Sequence, residues 1–336
     1  MKTVVVTGGA GFIGSHLTER LLQDGHTVHV VDNLSSGRLD NLSTFKDHPK
    51  LQVHLLDVAQ DDLSGAFAGV DWVFHLAGLA DIVPSIEHPE AYFEANVQGT
   101  LAVLQAAKQA CVSRLVYAAS SSCYGIPAQY PTPESAAIKP EYPYALTKRM
   151  GEELTLHWAS VYNLPYLSLR LFNVYGPRAR TGGTYGAVFG VFLAQKLANN
   201  AMTVVGDGTQ TRDFTFVTDI ANAFICAAAS KHSGQAYNVG SGGTYSINHL
   251  VELLGGTPEY IPKRPGEPDI TFADTHSIQR DLNWQAKIPF DAGVKMMLSH
   301  IDDWKQAPIW NPESISDATR SWFKYLGNET HPNAPS

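Results

Sequence analysis

The stretch "VVVTGGAGFIGSHL", residues 4–17, decides the fold. Three valines form a buried strand, the chain breaks at Gly8, Gly11 and Gly14, and Ile13, Leu17 and Leu21 then recur at helical spacing. Glycines at this spacing allow a tight turn, close approach of a pyrophosphate to backbone N–H groups, and close packing of helix on strand. A bare glycine pattern is weak evidence. Its setting strengthens it: Asp32 ends the next β-rich run, 18 residues after Gly14, where a carboxylate can accept hydrogen bonds from an adenosine ribose. Asp32 also favours NAD over NADP, because it repels a 2′-phosphate. Arg38, six residues further on, is a cation that complicates that preference.

The same alternation continues outward. "TVVVTG", "HTVHVVD", "QVHLLD", "DWVFHLAG", "SRLVYAAS" and "PYLSLRLFNV" read as six strands, near-continuously apolar as strands covered on both faces should be. "YFEANVQGTLAVLQAAKQA" and "YALTKRMGEELTLHWASVY" read as the longest helices of the first half. The expected class is α/β: a Rossmann-type doubly wound parallel sheet over 1–175, and a smaller, loop-rich α/β substrate domain over 176–326. Segments of the two are free to interleave. The polar tail 327–336 reads as disordered.

Composition narrows the function. The chain has 336 residues, 44% of them apolar, enough for one large domain or two closely packed ones. A net charge of −8 with no basic block disfavours nucleic acid and anionic membranes. No apolar run approaches a membrane span, and the valines after "MKT" yield to glycine too soon for a signal peptide, so the expected location is the cytoplasm. Three scattered cysteines, Cys111, Cys123 and Cys226, suit a reducing compartment. The thirteen histidines lack metal-ligand spacing, so no metal is expected.

Tyr144 and Lys148 lie four apart on an expected helix, so both project from one face. An ammonium beside a phenol stabilises the phenolate and is expected to lower its pKa, giving a base usable near neutral pH. Such a pair alone is common. Its place after the glycine loop and after a strand ending in Ser120, Ser121 and Ser122 makes it a candidate device.

With these motifs in order, the chain resembles the extended short-chain dehydrogenase/reductases, specifically the nucleotide-sugar epimerase/dehydratase group. The resemblance runs from residue 1 to about 326 and rests on "TGGAGFIG", "HLAG", "NVQGT", "SSSCYG", "YALTK", "LRLFNVYGPR", "GDGTQTRDFTFVTD" and "KRPGEPD". It implies Tyr144 as base, Lys148 on the nicotinamide ribose and Ser120 on the reacting hydroxyl. It also implies a cofactor shell of Gly8, Gly11, Phe12, Ile13, Gly14, Asp32, Asn33, Asp57, Val58, Leu76, Ala77, Gly78 and Asn96, together with Tyr144 and Lys148. Asp57 reads equally well as a strand-end cap. Ala80 departs from the pattern, since galactose epimerases carry a Lys there near the cofactor phosphates.

The resemblance also implies a reaction. Sugar 4,6-dehydratases of this group follow the catalytic hydroxyl with Asp and Glu, an acid and a base that eliminate water; here Ser121 and Ser122 stand in those places. What remains is 4-epimerisation of a nucleotide-diphosphate sugar, a UDP-hexose or UDP-N-acetylhexosamine: oxidation at C4 with hydride passing to NAD, rotation of the 4-keto sugar, and reduction from the opposite face. Ser121 and Ser122 would hydrogen-bond both epimers, or else only satisfy backbone groups at the strand end. Asn173, Arg212 and Arg264 would clamp the diphosphate, and Glu267 would take the nucleotide ribose. Thr271, small where galactose epimerases carry a Tyr, would leave room for a 2-acetamido group, unless it is merely a strand residue. A homodimer through the two long helices is implied as well. Related enzymes (a uronate 4-epimerase, decarboxylase, 2-epimerase or 4,6-dehydratase) and an inactive cofactor-sensing scaffold are the alternatives.

Overall fold

The computed structural model describes residues 1–182 and 186–327. Residues 328–336 of the expected tail lie outside the described residues. Six parallel strands follow one another through the first half: β1 (Thr3–Thr7), β2 (Thr27–Asp32), β3 (Leu51–Leu55), β4 (Trp72–His75), β5 (Arg114–Ser120) and β6 (Tyr166–Leu171). A seventh, Gln235–Val239, pairs with β6, so the sheet runs Gln235–Val239, β6, β5, β4, β1, β2, β3. The chain therefore builds outward in two directions from β1 and β4. A doubly wound sheet binds its ligand at that switch point, beyond the carboxyl ends of the strands.

Apolar side chains fill both faces. Leu17 and Leu21 of helix α1 (Phe12–Gln23) pack with Phe224 and Trp284 on one face; Val103, Leu104 and Phe67 cover the other. Helix Val217–Ala229 lies against α1 on the first face. Residues 217–239, within the stretch expected to form the substrate domain, thus return to the sheet. One expectation fails at β3. Although apolar in sequence, it is the edge strand of the sheet, with Val53 40% and Leu55 59% exposed.

The second lobe has its own aromatic core of Phe189, Phe192, Phe214, Phe290 and Trp304. Short strand pairs frame it: Phe214–Phe216 with Asn173–Tyr175, and Pro258–Ile261 with Met202–Val205. Pairing directly to Asn173–Tyr175, which follows β6, fixes this lobe over the carboxyl edge of the sheet. No helix among the described residues is long and apolar enough to cross a membrane.

Candidate active site

Between the lobes lies a cleft of about 840 Å³, continuous with a chamber of about 380 Å³ through shared walls at Gly78, Tyr144, Asn173, Arg212 and Glu267. Gly8, Gly11, Phe12, Ile13 and Gly14 line the cleft at the start of α1. The backbone is packed so tightly that a Cβ on Gly14 would stand 2.0 Å from the Gly8 carbonyl oxygen, and one on Gly8 would stand 2.8 Å from Ala77 N. Gly8 also has φ +70°, a conformation that favours glycine. Gly11 caps α1 without a side-chain hydrogen bond, so the first N–H groups of the helix remain for an anion. This cradle fits the pyrophosphate of a dinucleotide.

Asp32, at the end of β2, accepts Ala10 N at 2.9 Å and Leu34 N at 2.8 Å. Burial pushes its pKa up, and these two N–H groups oppose the shift. Asn33 donates to Asp57 Oδ2 at 2.7 Å, and Val58 continues the same wall. Arg38 is turned to the other lobe, donating to Thr181 Oγ1 at 2.8 Å and to the Ala179 carbonyl at 3.4 Å. Leu76, Ala77 and Gly78, after β4, form the facing wall.

Asn96 does not line the cleft. It sits in a π-helical turn, Glu94–Gln98, that interrupts the long helix expected over 92–110. Its side chain accepts Leu79 N at 2.8 Å and donates to the Leu79 carbonyl and to Thr147 Oγ1, both at 3.0 Å. It therefore shapes the Gly78–Leu79 loop from behind. Thr7 does the same for Leu76 and Ala77, and is itself held by the neutral ring of His75, whose pKa burial pushes down to about 3.

Ser120 ends β5 and caps the 3₁₀ turn Ser121–Tyr124; its Oγ accepts Ser122 N at 3.2 Å and lies 2.8 Å from Ser122 Oγ. The turn is anchored below by Tyr124, which donates to Asn238 and accepts from Arg170, each at 2.7 Å. Arg170 in turn is paired with the buried Glu152. Helix Pro143–Tyr162 starts with proline at its first position and brings Tyr144 and Lys148 to the chamber.

Tyr144 and Ser120 line the same chamber. Contrary to the sequence expectation, burial is the largest effect on this phenol and pushes its pKa up, with the neighbouring Ser120 hydroxyl acting against it. Lys148 is pushed down to about 8 by burial, opposed by Glu152, and so is still an ammonium at neutral pH. Its Nζ lies 4.5 Å from the centre of the Tyr117 ring.

Ser121, Ser122, Thr271 and Asn173 all line the chamber. Arg212 donates to Glu267 Oε1 at 2.8 Å, and Arg264 lies 3.8 Å from the other Glu267 oxygen, so the expected diphosphate and ribose residues converge on one another. Thr271 donates to Asn173 Oδ1 at 2.6 Å.

The family model for "NAD dependent epimerase/dehydratase family" matches residues 4–240. The chain belongs to this family. The UDP-glucose 4-epimerase of Mycolicibacterium smegmatis is 36% identical over 303 residues, covering 88% of this chain and 96% of the relative. Among solved structures, the UDP-N-acetylglucosamine 4-epimerase of Methanobrevibacter ruminantium M1, in complex with UDP-N-acetylmuramic acid, is 33% identical with TM-score 0.83, covering 89% of this chain and 99% of that one. The UDP-glucuronic acid 4-epimerase of Bacillus cereus, in complex with UDP-glucuronic acid and NAD, is 28% identical with TM-score 0.84, covering 90% and 99%.

Family membership makes NAD the cofactor, and the glycine cradle and Asp32 fit it. Three features of the site were missed in the sequence. Tyr142 stacks on Tyr144, ring centres 6.3 Å apart and 13° from parallel. Trp322 enters the cleft from the last described helix. Arg180 reaches across to Asp81 at 2.5 Å. Trp322 and Arg180 act with partners distant in sequence, and Tyr142, though two residues from Tyr144, stands just outside the quoted motif, so no motif marks any of them.

Proposed function

We propose that this enzyme interconverts the C4 epimers of a UDP-sugar. The observation that carries the reading is the hydroxyl pair Ser120–Tyr144 beside a buried Lys148, in a chamber where Ser121 and Ser122 supply neutral hydroxyls instead of an acid and a base. Bound NAD accepts and returns the C4 hydride. Tyr144 takes the 4-hydroxyl proton and later restores it. Ser120 hydrogen-bonds that hydroxyl and the ketone, and the Lys148 ammonium stabilises the phenolate against its burial. Arg212, Arg264 and Asn173 hold the diphosphate while the sugar turns, with Glu267 on the nucleotide ribose. Three unpaired thiols support a cytoplasmic location. Exposed apolar side chains on the helices, Phe93, Leu146, Leu156, Val161 and Tyr162, support pairing of two copies.

Incubation with UDP-glucose, UDP-N-acetylglucosamine and UDP-glucuronic acid tests the reading. A new epimer of unchanged mass with no net NADH is expected. Stoichiometric NADH would make it a dehydrogenase, and loss of carbon dioxide a decarboxylase.

A further inference from the structure

The last two described helices lie beyond residue 240, where the family match ends, and one of their side chains enters the site. Helix Pro312–Ala318 is opened by a reciprocal cap: Asn311 Oδ1 accepts Ser314 N at 2.8 Å and Ser314 Oγ accepts Asn311 N at 3.0 Å. Helix Arg320–Leu326 follows with seven residues, too few to be stable alone, and Trp322 is the one side chain it buries. Phe323 and Tyr325 stay exposed. Docking of the helix therefore depends on where Trp322 goes.

Trp322 goes to the diphosphate end of the cleft. Its Nε1 donates to the Pro265 carbonyl at 2.7 Å, and its ring lies 5.4 Å from the Arg264 guanidinium carbon. The ring also lies 6.5 Å from that of Tyr142, which stacks on Tyr144. The neighbouring Ser321 donates to Glu87 Oε1 at 2.8 Å, on a helix of the cofactor side. The short helix thus brackets the cleft from Glu87 to Pro265.

We propose that Trp322 is a positioning residue of the nucleotide-diphosphate site, pre-ordering Arg264 through the face of its indole. An unsupported Arg loses many rotamers on binding a phosphate. Stacking on an aromatic face restrains the guanidinium while directing its in-plane N–H groups to hydrogen bonds, the geometry a diphosphate uses. Glu267, at 3.8 Å, competes for that edge; the indole does not. The inference rests on the reading of Arg264 as a diphosphate ligand.

The test is calorimetric binding of UDP to the NAD-loaded protein. Trp322→Ala is expected to weaken UDP binding about tenfold or more, the scale of one desolvated cation–π contact, with bound NAD unchanged. Because that variant could lose its C-terminal helix altogether, Trp322→Phe and Trp322→Leu form the deciding pair. Both keep an apolar side chain and lack the indole N–H that bonds Pro265, and only Phe offers a π face. Phe is expected to bind UDP several-fold more tightly than Leu. Equal affinities for the two, or a folded Trp322→Ala within twofold of wild type, would overturn the role of Trp322 alone. A wild-type protein that holds NAD and binds no UDP would overturn the UDP-sugar reading and this inference with it.

Discussion

Thr271 donates its hydroxyl to Asn173 Oδ1 over 2.6 Å while accepting the backbone N–H of Asp213 at 3.0 Å. A side chain singled out for its small size thus also orients a proposed diphosphate ligand. Replacing it by Tyr would fill space and release Asn173 together, so two variants are needed. Thr271→Val keeps the volume and removes the hydroxyl; it should raise KM several-fold for UDP-glucose and UDP-N-acetylglucosamine alike. Thr271→Tyr should in addition abolish turnover of the acetamido sugar. A Val variant that alters the ratio between the two sugars would show that the hydroxyl, and not the volume, sets the preference.

Tyr144→Phe removes the phenol and keeps the ring stacked on Tyr142. Turnover should fall about 100-fold or more, the scale of a general base, with little change in substrate affinity. Retention of more than about a tenth of the activity would assign proton transfer elsewhere, with Ser120 the next group to replace.

Elimination of water needs an acid and a base at the neighbouring carbons, and Ser121 and Ser122 offer neither near neutral pH. Mass spectrometry of the reaction mixture should therefore show no product lighter by one water. Its appearance would point to a dehydratase whose acid–base pair comes from other residues of the chamber.

What could be read in advance was local. The glycine loop, Asp32, the serine-ended strand and the Tyr144–Lys148 pair each depend on spacings of a few residues, and the strand runs on continuous apolarity. What could not be read depends on partners far apart. Asn96 was identified, yet its action through Leu79 depends on a π-helical turn that no residue pattern marks. The phenol of Tyr144 is expected to be acidified by neighbouring positive charge; burial, which only the packed lobes create, pushes its pKa the other way. Arg38 raised a question about the ribose phosphate, which its bonds to Thr181 and Ala179 address, 143 and 141 residues along the chain.

Acid should weaken the fold through His16. Its Nε2 contacts the Pro177 carbonyl at 2.9 Å, and burial lowers its pKa from 6.5 to about 4. The folded state therefore resists a proton that the unfolded chain takes up. Stability from this group is complete above pH 6.5 and declines between 6.5 and 4, by up to about 1.4 kcal/mol per pH unit. The difference in melting temperature between pH 7.5 and pH 5 should be smaller in His16→Asn than in wild type. An unchanged difference would place the acid sensitivity in other groups.

The last prediction concerns cofactor retention, which the absence of a Lys at Ala80 put in question. Next to Ala80, Asp81 receives Arg180 from the other lobe at 2.5 Å. Within the same loop, Arg178 meets Glu19 at 2.6 Å, Pro177 is held by His16, and Thr181 and Ala179 are held by Arg38. Residues 177–181 are thereby tied at several points across the cleft that the glycine loop lines. A single exposed ion pair contributes about 0–1 kcal/mol, so Arg180→Ala alone should speed NAD release only a few-fold. Arg38→Ala removes two further bonds to the same loop. The double variant should lose NAD faster than the two single effects combined predict, since either tie alone keeps the loop near its place. Release can be followed by the NAD remaining after gel filtration at timed intervals. Wild-type retention in the double variant would show that the cradle at Gly8–Gly14 and Asp32 holds the cofactor without help from the loop.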